Sequence, residues 1–107
     1  MLEEKDILFE VQTPANFRVR CTHEYWQIIT IRKHPVMRDK LDDVKNCLEQ
    51  PDEIRQSKSD SSVYLFCQKK RSNRWICAIA KRLNGTGFLI TTYVTDAVKE
   101  GERLWTK

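Results

Sequence analysis

The 107-residue chain predicts a single α+β domain spanning residues 1–107, with N-terminal strands and two helices packed on an antiparallel sheet of about four strands and a short helix near the end. Three observations carry this. Apolar spacing is helical between Thr22 and Glu49 and changes to a period of two after Pro51. The two kinds of element are segregated along the chain and do not alternate, which argues against βαβ units. A chain of this length removes roughly 60–70% of its extended surface from water, so neither a metal nor disulfides are needed for folding.

Two short extended runs come first, Ile7–Val11 and Phe17–Cys21, with Thr13, Pro14 and Asn16 as the turn between them. Thr22 is a good N-cap for a first helix, and Glu24 places a favourable negative charge in its first turn. Tyr25, Ile28, Ile29 and Arg32 share one face of it, and Pro35 ends it. A second helix is expected over residues 38–49, with Leu41, Val44 and Leu48 as its buried stripe. Strands are then expected at Glu53–Ser57, Val63–Lys70, Arg74–Leu83 and Phe88–Val94, followed by a short helix at Ala97–Glu100. On Phe88–Val94, alternation sends Phe88, Ile90, Thr92 and Val94 toward the helices and Leu89, Thr91 and Tyr93 to the other side.

The net charge is only +4, but it is unevenly placed. Residues 1–50 balance at −1 and residues 51–107 at +5. No acidic residue lies between Asp60 and Asp96, a stretch that holds Lys69, Lys70, Arg71, Arg74, Lys81 and Arg82. A one-signed cluster of this kind attracts polyanions, although a solvated basic hairpin has the same composition.

Met1–Lys5 has no basic run leading into an apolar one, and no apolar stretch approaches 18 residues, so a cytoplasmic protein without a membrane span is expected. Cys21, Cys47, Cys67 and Cys77 show no metal-binding spacing and read as reduced core thiols, although a hairpin centred near Ser72 would set Cys67 opposite Cys77. No phosphate loop, dinucleotide fingerprint or metal motif is present, and no cofactor is expected.

Two polar sets remain. Arg32, Lys33, His34 and Pro35 follow the first helix, and histidine serves as both acid and base near neutral pH. Thr91 and Tyr93 share a side of the last long strand, and Arg55 and Ser57 share a side of the strand after Pro51.

The segments KHPVM (Lys33–Met37), LDDVKNCLEQPDEIRQS (Leu41–Ser57), VYLF (Val63–Phe66), ITTY (Ile90–Tyr93) and TDAVKEGERLW (Thr95–Trp105) resemble a small phage-associated branch of the nuclease superfamily that joins barnase, EndoU, colicin-type tRNases and RelE-like toxins. The resemblance implies a RelE/barnase-like fold, with N-terminal helices on a curved antiparallel sheet. It also implies metal-independent RNA cleavage, in which the 2′-OH attacks the adjacent phosphate while side chains move the protons. His34 matches the family's His-Pro motif, and Thr91 and Tyr93 match its last-strand Thr-x-Tyr. Arg55, Ser57 and Lys81 complete the implied catalytic set, and Lys69, Lys70, Arg71, Arg74 and Arg82 would bind nucleic acid.

Three functions follow as expectations: a ribonuclease, in the toxin case restrained by an acidic antitoxin or inhibitor protein; a non-catalytic RNA- or DNA-binding module using the basic hairpin; or a partner-binding domain with no nucleic acid.

Overall fold

A computed structural model describes residues 6–107; Met1–Lys5, where the expected absence of a leader falls, lie outside the described residues. The elements are β1 (Ile7–Gln12), β2 (Arg18–Thr22), α1 (His23–Ile28), α2 (Leu41–Glu49), β3 (Glu53–Gln56), β4 (Val63–Arg71), β5 (Arg74–Leu83), β6 (Thr86–Thr95) and β7 (Glu102–Thr106). Between the helices lie a π-helical turn at Ile29–Lys33 and a 3₁₀ turn at Pro35–Met37.

The expected four-stranded antiparallel sheet is overturned. One seven-stranded mixed sheet runs β1-β2-β6-β5-β4-β3-β7. The N-terminal hairpin does not stand apart, because β2 joins β6 in parallel, Arg18–Arg20 lying beside Thr86–Phe88. The expected helix at Ala97–Glu100 is not formed. Residues 96–101 are a bent connection, and the chain continues as β7, which pairs antiparallel with β3. Gly101, at φ +79°, makes the final bend, and an added Cβ there would stand 2.9 Å from the Gln56 carbonyl oxygen.

The expected first helix is also shorter and more irregular. Thr22 caps α1 by accepting from the Tyr25 amide at 3.0 Å. After Ile28 the ladder widens, and the His34 amide donates to the Ile29 carbonyl at 2.7 Å, five residues back.

Both helices pack on one face of the sheet. Trp26, Ile29, Met37, Val44, Cys47 and Leu48 cover Phe66, Ile76, Ala78, Ala80 and Leu89. Each large apolar side chain fully buried in this way contributes about 1.5–3 kcal/mol. The opposite face is crossed by the 96–101 connection, which lays Val98 on a smaller cluster of Leu65, Cys67 and Cys77. Cys67 and Cys77 are directly opposite across the β4–β5 ladder, and all four cysteines are buried free thiols.

The expected register of β6 holds for only part of its length. Thr92 and Val94 face the helices, and Thr92 Oγ1 donates to the Cys77 carbonyl at 2.6 Å. Toward the start of the strand the sides exchange: Leu89 is in the core, and Phe88 lies opposite Lys81 on the other face. The cause is a β-bulge. Thr91 pairs with Ile79 and Leu89 with Ala80, so Ile90 is an extra residue that shifts alternation by one.

Candidate functional site

The face turned away from the helices is organised in cross-strand rows. One row runs Arg55–Leu65–Ile79–Thr91 over β3, β4, β5 and β6, and the next runs Glu53–Cys67–Cys77–Tyr93. Lys81 lies one pair further along β5, opposite Val63 and Phe88. Arg55, Lys81, Thr91 and Tyr93 therefore share a face, but they fall in separate places on it.

The first place is at the β6 edge. Parallel pairing with β2 stops at Phe88, so the edge beyond it is met by the helical segment. Tyr25 Oη donates to the Ile90 carbonyl at 2.7 Å, and the π turn then carries the chain along the edge to His34. The His34 backbone is held from both sides, its amide by Ile29 and its carbonyl by the Met37 amide at 3.0 Å. Its ring lies 5.9 Å from that of Tyr93, tilted by 46°. Burial raises the Tyr93 phenol well above its ordinary pKa, with buried Cys77 adding to the effect, so the hydroxyl stays protonated and is a donor, not a base. Thr91, two residues before Tyr93 on the same face, has a buried Oγ1 with no hydrogen-bond partner among the described residues. Lys33 stands 5.6 Å from the centre of the Tyr25 ring, next to His34 in sequence. His34, Tyr93 and Thr91 thus come together.

The second place is the turn between β3 and β4. Lys81 Nζ sits 3.4 Å from Asp60 Oδ2. The Asp60 carboxyl is held below its ordinary range, first by the Ser62 hydroxyl and amide and then by Lys81. Ser57 belongs to this turn, its Oγ 3.1 Å from that of Ser59.

The third place is under the 96–101 connection. Arg55 Nη2 and Arg103 Nε reach the same Glu53 oxygen at 3.3 and 2.8 Å, and Arg55 Nη1 approaches the Glu100 carbonyl at 3.4 Å. Arg55 is separated from Thr91 by three inter-strand steps of ~4.8 Å, about 14 Å. Its guanidinium ties the crossing connection to β3, while Arg103 ties β7 through the same Glu53 oxygen; Arg55 Nε is buried with no partner among the described residues.

The basic residues do not form one stripe. Lys70 pairs with Asp43 of α2 at 3.3 Å, and Arg82 stacks over Phe17 at 5.4 Å while donating to the Asn84 carbonyl. The ammonium of Lys69 and the guanidinium groups of Arg71 and Arg74 remain at the β4–β5 tip without an ion-pair partner among the described residues, although the Lys69 amide donates to Asp52 Oδ2 at 2.7 Å. No group of three or more His, Cys, Asp or Glu side chains gathers among the described residues, and no helix is long and apolar enough to cross a membrane.

Tyr25 is a site residue that sequence reasoning missed. Helical spacing places Tyr25 on one face with Ile28, Ile29 and Arg32, and its pairing with the Ile90 carbonyl depends on where β2 ends. Comparison with protein-family models, with curated proteins and with solved structures finds no match.

Proposed function

We propose that this protein is a metal-independent ribonuclease whose reaction is carried by the corner formed by His34, Tyr93 and Thr91. The observation that carries the reading is the meeting of the His34 and Tyr93 rings at the edge of the helix-free face, beside an unpaired Thr91 hydroxyl. His34 is far in sequence from Thr91 and Tyr93, and the two places belong to the two motifs that resemble the nuclease superfamily. His34 supplies a base and Tyr93 a donor in one place.

The neutral His34 imidazole takes the proton of the ribose 2′-OH, and the 2′-oxygen bonds to phosphorus. The bond from phosphorus to the 5′-oxygen breaks, and that oxygen takes the Tyr93 phenol proton. The imidazolium of His34 then returns a proton to Tyr93. The products are a 2′,3′-cyclic phosphate and a 5′-hydroxyl. Lys33 offsets the charge that develops on a non-bridging oxygen, and the buried Thr91 hydroxyl lies behind the reacting group. Lys81, Ser57 and Arg55 lie outside the reacting group.

The test is purified protein on total RNA in excess EDTA, with end-group analysis of the products. Cleavage to cyclic phosphate ends supports the reading. Intact RNA across varied substrates overturns it and favours a binding module built on Lys69, Arg71 and Arg74.

A further inference from the structure

Cys67 of β4 and Cys77 of β5 stand directly opposite each other, and the backbone fixes the kind of opposition. The Cys67 carbonyl turns away from β5 and accepts from the Asp52 amide at 2.8 Å. The Cys77 carbonyl turns away from β4 and accepts from Thr92 Oγ1 of β6 at 2.6 Å. The two residues therefore do not bond to each other across the ladder. They form a non-hydrogen-bonded pair, the kind whose Cα atoms stand about 4.5 Å apart and whose side chains are closest. That spacing falls at the near end of the roughly 4.4–6.8 Å that a disulfide spans.

Both are free thiols on the helix-free face. The other two cysteines have no such partner. Cys47 reaches the sheet from the helix side, its Sγ donating to the Phe66 carbonyl at 3.1 Å. Cys21 lies on β2, which β6 separates from β5. The cover over Cys67 and Cys77 includes Val98 of the 96–101 connection. That connection is neither helix nor strand, and a contact of 3.4 Å from Arg55 Nη1 to the Glu100 carbonyl helps to hold it. A segment with few buried contacts opens locally while the rest of the domain stays folded.

We infer that Cys67 and Cys77 are a redox modification site, which a peroxide reaches when the 96–101 connection lifts and closes into a cross-strand disulfide. One sulfur attacks a peroxide oxygen, the O–O bond breaks, and a sulfenic acid and water form. The second sulfur attacks the first, the S–O bond breaks, and a second water leaves. Two thiols are oxidised and one hydrogen peroxide is reduced. The second step is intramolecular and needs no further opening. A bridge at so short a Cα separation is strained and therefore easily reduced, which suits a reversible state better than a permanent staple. The inference stands on the geometry of β4 and β5 and is independent of the RNA reading.

The test treats the full chain with hydrogen peroxide without denaturant, then alkylates it in denaturant and maps its peptides by mass spectrometry. Free thiols should fall from four to two, with one peptide pair joining Cys67 to Cys77. Dithiothreitol should restore all four. Val98→Ala trims the cover and should speed closure roughly 2–10-fold. Bridges that involve Cys21 or Cys47, links between chains, or sulfinic acid at Cys67 or Cys77 without the link would overturn the inference. So would thiols that all survive, or a closure rate unchanged in Val98→Ala.

Discussion

The rings of His34 and Tyr93 lie 5.9 Å apart although the residues come from opposite halves of the chain. The contact exists because β2 covers β6 only as far as Phe88. The open edge beyond is taken up by Tyr25, the π turn and then His34. Placement of the corner therefore depends on the bulge at Ile90 and on the parallel β2–β6 pair, and disturbing either should disturb the site.

Gly87 tests that dependence. It lies on β6 between Val19 of β2 and Arg82 of β5. A Cβ there would overlap the Lys81 carbonyl oxygen and come within 2.9 Å of Phe17 Cε2. Gly87→Ala should cost about 1–3 kcal/mol, as overpacking in a closed core does. Urea unfolding checks this; an unchanged midpoint would mean that the strands separate without cost.

Much of the fold follows from local pattern. The amphipathic stripe of α2, the polar turn before Val63 and the pairing of Cys67 with Cys77 are consequences of period and hairpin position. The parallel β2–β6 pair is not, since no turn links those strands and only tertiary contact selects it. The error at the C-terminal end has a clear cause. Thr95 or Asp96 can cap a helix and Gly101 can end one, but six residues that must cross from β6 to the far edge do not coil. At the site, Thr91 and Tyr93 share a face as alternation requires. Phe88 and Leu89 exchange sides because one inserted residue shifts the phase. The partners of Arg55 and Lys81 were not legible, because Glu53, Arg103 and Asp60 reach them only after the sheet forms.

Glu53 should matter more to stability than either arginine it binds. It is 7% exposed and holds both Arg55 and Arg103. Glu53→Ala leaves the buried end of Arg55 uncompensated, at a cost approaching about 3 kcal/mol. Arg103→Ala removes a largely exposed partner and should cost about 1 kcal/mol or less. Chemical denaturation of the two variants checks the order, and equal losses would argue against the arrangement.

The thiols give a pH dependence with a definite sign. Burial raises Cys21 from 9.0 to about 12 and pushes Cys47 up, while Cys67 is raised by its contact with Cys77 together with burial. A folded pKa above the unfolded one means that the unfolded chain loses protons first. The stabilisation is fully present below pH 9 and is lost as pH rises toward about 12, by up to about 1.4 kcal/mol per pH unit for each thiol. The folded protein at pH 8 should also resist thiol-specific alkylation until denatured. Rapid alkylation without denaturant would contradict this burial.

Binding of RNA should be salt-dependent through the β4–β5 tip. Neutralising Lys69 and Arg74 together should flatten the salt slope by roughly one unit for each phosphate that they no longer neutralise. Lys70→Gln and Arg82→Gln should do less, because Asp43 and Phe17 already engage those side chains. Affinity measured at several salt concentrations decides it, and equal effects from all four positions would show that these contacts do not restrict them.

The most direct test of the central claim is single-turnover cleavage, in EDTA, of an RNA oligonucleotide that the protein cuts, against the same oligonucleotide with one 2′-deoxy residue at the cut. The deoxy strand should bind but remain intact at that position. His34→Ala should slow cleavage of the all-RNA strand by roughly 10²–10⁴-fold while the protein stays folded. Cleavage at the deoxy position, or a His34→Ala rate equal to that of the natural protein, would contradict the account.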